Sequence, residues 1–481
     1  MNVKKISDQY TEFFVILILS FVYQFVMSIS LTPFTLNEGY DSLIFKQMGL
    51  SILQGKALYI DLFDHKGPFI FFINAIGQFI VPGKIGLFIL YTVNFSFVIF
   101  LWFKISKLFV RNRIATLFPV ILALLFLQMA SNEDNETEDW SLIPITYSLY
   151  LFAKFCFKEQ IVNNKEYFFL GVSMGVVTFM RINNMAPNCC VILALTIFFI
   201  LRHRLSDFKK MILSVMCGWL IVTLLVFVLI FILYGRLGIE EMLYGTFTYN
   251  FEYMGSSQAV APDRMRWYIR YGLASLFFIV VIYIKYKNNM FSHVLLLCYL
   301  TTFISLGTKG WQNYFIVFSP LFALSASAWN VGLNKWVRSV LTLLMIVYLG
   351  RPFIDRIRQT NEGDLVLFYK RSSEIINKIE VEERGNIWNN AEFWGLSVLQ
   401  KEGLVQANRV MLGFQLDISD KLKQSEIKRF ETMKPQYVLL LCKIEDDDEL
   451  YNARRIKENY LLMAKVETGG KLYVYKKYRN W

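Results

Sequence analysis

The run Phe69-Ile70-Phe71-Phe72-Ile73-Asn74-Ala75-Ile76-Gly77-Gln78-Phe79-Ile80-Val81 decides the orientation of everything that follows it. Thirteen residues are few for a membrane span, which takes about 20. The clear spanning candidates lie before it at 13–31 and after it at 85–103, 114–130, 141–157, 167–180, 185–201, 211–234, 268–284, 291–307, 313–330 and 338–350. If 69–81 crosses, Lys104, Lys107, Arg111 and Arg113 fall outside and the acidic loop 132–139 falls inside. If it lies along the outer surface or only dips in, those four residues become cytoplasmic. Lys158, Lys165, Arg202, Arg204, Lys209, Lys210, Lys285, Lys287, Lys335 and Arg338 then join them. Positive charge collects on cytoplasmic loops, which favours the second case. The expectation is eleven spans, a cytoplasmic N-terminus, an outer C-terminus, and 69–81 as a surface or re-entrant helix.

Composition agrees with a polytopic membrane protein. Of 481 residues, 55% are hydrophobic and only 18% charged, where soluble chains carry about 25%. That excludes a disordered, collagen-like or nucleic-acid-coating protein. The net charge of +12 is an orientation signal. The proposed cytoplasmic segments hold sixteen Lys/Arg against five acids, and the outer loops between 32 and 350 hold ten against thirteen. No nucleic-acid partner is implied. Cys156, Cys189, Cys190, Cys217 and Cys298 sit in apolar runs and Cys442 stands alone, so there is no disulfide framework or zinc spacing. Lys4 and Lys5 precede a long apolar run without a clear small-residue cleavage site, which reads as an anchor helix rather than a signal peptide.

Three long outer segments remain: 32–83, 235–267 and 351–481. In the last, Tyr437–Leu441 and Lys471–Tyr475 have buried-strand patterns, with Gly469-Gly470 as a turn. A small C-terminal α/β domain over 351–481 is expected beside a membrane domain over 1–350. Trp388, Phe393, Trp394 and Tyr437 could form a sugar platform but fit a core better.

The first outer segment sets Glu38, Asp41, Asp61 and Asp64 beside His65 and Lys66 at the membrane mouth. Carboxylates near hydrocarbon are costly and point to function. One of raised pKa can take a proton from an acceptor hydroxyl, and a lysine beside it can hold a phosphate. Further charged elements are Glu133-Asp134-Asn135-Glu136-Thr137-Glu138-Asp139, Arg181-Ile182-Asn183-Asn184, and Arg264, Arg266 and Arg270.

The pattern Asp41-Ser-x-x-Phe45, Gly55, Tyr59-x-Asp61-x-Phe63-Asp64-His65-Lys66-Gly67-Pro68 resembles the first outer loop of GT-C glycosyltransferases. The branch it looks like is that of protein O-mannosyltransferases and lipid A aminoarabinose transferases. The resemblance implies a mainly α membrane fold, surface helices in the first loop, and sugar transfer from a polyprenyl phosphate on the outer face. It implies Asp41 as catalytic base, with the family's second acid replaced here by Ser42. Lys66 corresponds to the lysine near the donor phosphate, and His65 to a position used for metal or phosphate contact. Arg181, Arg264 and Arg266 are further phosphate candidates. Glu138, Asp61, Asp64 and Asn313 are candidates to hold the acceptor or a divalent cation, Asn313 standing where the family has histidine. No other cofactor is implied. The partners implied are a polyprenyl-phosphate sugar, a bacterial cell-wall polysaccharide or lipid-linked glycan, and membrane lipid. A polysaccharide ligase or polymerase, and a lipid-linked sugar transporter, are the alternatives.

Overall fold

The computed structural model describes residues 3–479 except 29, 34, 37, 111, 132, 159–161, 257–260, 288, 308, 332–333, 335, 338, 341–342, 345–346, 348–362 and 447–449. Much of the expected span 338–350 and the start of the 351–481 tail therefore lie outside the described residues. The chain divides into two compact units.

One unit comprises 1–28, 89–229 and 260–356. Its helices are α1 (Val3–Met27), most of α4 (Ile85–Phe109), α5 (Arg113–Ala130), α6 (Thr137–Lys158), α7 (Asn164–Thr178), α8 (Ala186–Leu201), most of α9 (Leu205–Leu243), α11 (Arg264–Tyr286), α12 (Met290–Ser305) and α13 (Ser319–Asn330). Long Phe/Leu/Ile runs form helices because a spanning segment must satisfy its own backbone. By length and composition five qualify as spans: Ile85–Phe109, Thr137–Phe157, Ile182–Leu201, Leu205–Gly255 and Arg264–Tyr286. Thr11–Met27, Ala115–Ala130 and Met290–Ser305 are shorter apolar helices. The expected span 313–330 is two pieces, a 3-10 turn over Gln312–Phe318 and then α13. Small residues let α13 bury almost every side chain, with Phe322 stacked on Phe126 of α5 at 3.9 Å. Glu12 of α1 receives Lys107 of α4 at 2.7 Å, and Tyr23 stacks on Phe95 at 5.3 Å. The two helices are therefore antiparallel.

The other unit comprises 29–88, 230–259 and 357–481. It contains α2 (Tyr40–Leu53), α3 (Pro68–Ile80) and α10 (Tyr249–Gly255). The 69–81 run is α3, thirteen residues long. At 1.5 Å per residue it reaches about 20 Å, short of a hydrocarbon core of about 30 Å. One face is buried through Ile70, Phe71, Asn74 and Ala75, while Ile76, Phe79 and Ile80 are exposed. Gly49 of α2 makes room for α3: a Cβ there would stand 2.6 Å from the carbonyl carbon of Asn74. The tail supplies a four-stranded sheet in the order β1-β2-β4-β3, from Ile387–Asn389, Tyr437–Leu440, Leu472–Lys477 and Tyr460–Val466. β1 and β2 are parallel, β4 is antiparallel to both β2 and β3, and Leu462/Ala464 marks a bulge. The helices α14 (Gly363–Asn377), α15 (Glu392–Lys401), α16 (Phe414–Ile418), α17 (Asp420–Met433) and α18 (Ala453–Asn459) complete the tail. Both sequence-expected strands are present, and Gly469 takes the positive φ of the turn at 72°. Trp388 and Tyr437 are buried in the core, Trp394 packs edge-on against Phe368, and Phe393 stacks on Tyr40.

Candidate functional site

In the loop-and-tail unit, Tyr59–Pro68 folds into a turn that buries its charges. Asp64, His65 and Lys66 are all under 7% exposed. Asp64 Oδ1 accepts the Lys66 backbone N–H at 3.0 Å and stands 3.6 Å from His65 Nδ1 and 3.9 Å from Lys66 Nζ. Lys66 Nζ in turn lies 3.0 Å from His65 Nε2. Burial pushes the Asp64 carboxyl above its ordinary range; Lys66 opposes this and the Asp41 charge adds to it. Lys66 is the cation nearest this buried carboxyl. An ammonium has three N–H donors; with His65 taking one, donors remain for an anion.

The turn is held from several sides. Tyr59 has φ 67°, a conformation that an aromatic residue adopts only under constraint. Its hydroxyl donates to the Lys66 carbonyl at 2.7 Å, and its own carbonyl accepts Arg409, which also pairs with Glu241. Asn250 donates to the His65 carbonyl at 2.8 Å, and Tyr253 stacks on the imidazole at 5.0 Å. Phe63 N donates to the Arg409 carbonyl at 2.9 Å. None of Tyr253, Asn250 or Arg409 has a local sequence signal toward this site.

Asp41 occupies the first turn of α2, partly exposed. A carboxylate in that turn is favoured by the helix N-terminus. Glu38, three residues earlier, pairs with both Lys46 and Lys84 and is a structural anchor. Asp61 accepts the Ala57 N–H at 3.1 Å and pairs with Arg429 at 3.5 Å, so it ties the loop to the tail.

In the helical unit, the acidic patch is buried. Glu138, 1% exposed, pairs with Arg181, whose guanidinium lies 3.9 Å above the Tyr314 ring. Thr137 Oγ1 donates to the other Glu138 oxygen at 2.7 Å. Asn313 donates to Glu136 at 2.9 Å, and Ser28 to Asp134 at 2.6 Å. Asp139 accepts the Glu136 N–H at 3.0 Å. Asn135, at φ 70°, is fully buried and accepts the Trp140 indole N–H at 3.0 Å, so its formal glycosylation triplet is inaccessible. Among the described residues no three His, Cys, Asp or Glu groups converge to hold a metal. The described partners of Glu138 are Arg181 and Thr137. Arg264 and Arg266 open α11 on its exposed side, with Arg266 5.5 Å from the Trp267 ring. Lys309 is buried, which lowers its pKa.

No protein-family model and no curated protein matches the chain. Solved structures do. ArnT from Cupriavidus metallidurans bound to undecaprenyl phosphate superposes with a TM-score of 0.62 at 10% identity, over 97% of each chain. The apo form of the same protein gives 0.61 at 10% identity, over 98% of each. The oligosaccharyltransferase AglB from Archaeoglobus fulgidus, in complex with an inhibitory peptide and a dolichol-phosphate, gives 0.54 at 11% identity, over 96% of this chain and 74% of that one. The chain shares the fold of both neighbours.

Proposed function

We propose that the chain is an inverting glycosyltransferase of the outer membrane face, moving a sugar from polyprenyl (undecaprenyl) phosphate to a hydroxyl of a cell-envelope polysaccharide or glycolipid. The observation that carries this reading is the buried Asp64–His65–Lys66 turn, which holds a lysine with N–H donors to spare and whose Asp64 senses the charge of Asp41. The neighbours' lipid-phosphate ligands support the donor class.

Asp41 takes the proton of the acceptor hydroxyl as its oxygen attacks the anomeric carbon on the face opposite the phosphate. The bond from that carbon to the phosphate oxygen breaks, and the electron pair leaves with the polyprenyl phosphate. The leaving group departs as an anion, so Lys66 assists it by charge and hydrogen bonding that strengthen in the transition state. His65 positions Lys66. Arg181 and Glu138 act as a fixed pair that shapes the ends of α6 and α7. The membrane arrangement proposed with this is eleven spans, N-terminus inside, with 351–481 outside.

The test is transfer of radiolabelled sugar from undecaprenyl phosphate by the purified full chain, with Asp41→Asn and Lys66→Met beside it. Loss in both variants, with wild-type insertion and folding, supports the reading. Wild-type rates in both, or transfer only from a pyrophosphate-linked glycan, overturns it; the second result would identify a ligase or polymerase.

A further inference from the structure

A cavity lies at the other end of the helical unit, about 27 Å along α6 from Glu138 by helix rise. It has a volume of about 880 Å³ and is formed where α6 and α8 end and α7, α9 and α12 begin. Its apolar wall includes Phe155, Tyr167, Phe198 and Phe199, and its charged rim is Lys165, Arg204, Lys210 and Asp207. Asp207 is taken by Arg204 at 2.6 Å. Lys165 and Lys210 are exposed and form no ion pair among the described residues. The charge comes from side chains, because α7 and α12 are already capped by Asn163 and Asn289.

The cavity does not end at this rim. Asn164 and Lys165 also line a second hollow of about 520 Å³ that continues along α7 and α9 past Phe168, Phe169, Leu213, Ser214 and Cys217. Beside it α7 and α9 pack tightly: a Cβ on Gly171 would meet the Val215 carbonyl oxygen at 2.0 Å, and one on Gly218 the Phe168 carbonyl oxygen at 2.1 Å. The two backbones touch there, and larger side chains on either side leave an open apolar channel. Phe169 and Leu213 are more than half exposed on it.

A cationic rim continuous with a hydrocarbon channel matches an anionic amphiphile. We propose that this is a binding site for an anionic glycerophospholipid of the inner leaflet, its phosphate on Lys165 and Lys210 and one acyl chain along the α7–α9 channel. Basic pockets between helices on the cytoplasmic side take such headgroups, and the charge pattern of the loops assigns this end of the bundle to the cytoplasm. The lipid would brace α7, which opens at the cavity and closes just before Arg181.

The full chain in nanodiscs of equal phosphatidylglycerol and phosphatidylcholine, extracted and weighed by native mass spectrometry, tests the proposal. Wild type should retain phosphatidylglycerol over phosphatidylcholine. Lys165→Ala and Lys210→Ala should each cut that preference about fivefold, and Lys287→Ala, an exposed lysine outside the cavity, should leave it unchanged. Leu213→Trp, which fills the channel without touching the charges, should lower retention too. Equal retention of both lipids, or wild-type preference in the double-lysine variant, overturns the proposal. Displacement of the lipid by inorganic phosphate would show a soluble-anion site and overturns it equally.

Discussion

His65 Nε2 lies 3.0 Å from Lys66 Nζ. An ammonium only donates, so Nε2 is the accepting atom of this contact, while Nδ1 stands 3.6 Å from Asp64. The side chain at 65 serves as an acceptor for Lys66. His65→Gln, whose amide oxygen can replace Nε2, should keep transfer within about threefold. His65→Leu should lower it about tenfold to a hundredfold, the usual worth of a hydrogen bond to a charged group. Equal activity in the two variants would exclude the positioning role.

Glu138 and Arg181 are both nearly buried. Removing one partner strands the other charge, which costs about 3–5 kcal/mol. Arg181→Ala should therefore lower the unfolding temperature sharply. Glu138→Gln with Arg181→Met should recover most of the loss, because neither product is charged. Thermal unfolding of the single and double variants in one detergent reads the coupling; additive losses would mean the pair is not coupled.

Gly49 is where α2 meets α3. A methyl group there must push against the Asn74 backbone, which cannot rotate aside. Gly49→Ala should cost about 1–3 kcal/mol and displace α2, the helix that begins beside Asp41. Gly255→Ala, with open space around it, should be close to neutral. Unfolding and sugar transfer measured on both variants check this contrast.

Glu426 accepts the Arg409 backbone N–H at 3.2 Å, and burial pushes its pKa up to about 7, with Arg429 and Arg409 opposing. The folded state then binds more protons than the unfolded one between the ordinary glutamate value and about pH 7. Stability should fall as pH rises through that window, by about 3 kcal/mol at most. Glu426→Gln should flatten the dependence. A denaturation series from pH 4 to 8, expected to show a steeper fall in wild type than in the variant, measures it.

The fold was legible where a pattern carries its own physical reason. The shortness of the 69–81 run predicted the thirteen-residue helix that forms there. Gly469-Gly470 announced the turn before β4. The span 313–330 was not legible as two pieces, because the apolar pattern is the same whether the helix is continuous or opens with a 3-10 turn. At the site, the Asp64–His65–Lys66 turn could be found in the sequence because its members are adjacent. Arg409 could not, since it reaches Tyr59 across 350 residues. Glu138 and Arg181 were each singled out, but nothing in their spacing says that they neutralise each other.

The sequence by itself determined what depends on composition and local order: a membrane chain, the uneven spread of charge among its loops, and the loop bearing Asp41 and Lys66. These follow from transfer free energies and short-range geometry, which act residue by residue. Tertiary structure alone decided which charges are spent. Glu38, Asp61 and Glu138 stand in the sequence as bare acids, and folding gave each a cationic partner. Pairing depends on distances between segments remote in the chain, and burial sets what each pairing is worth.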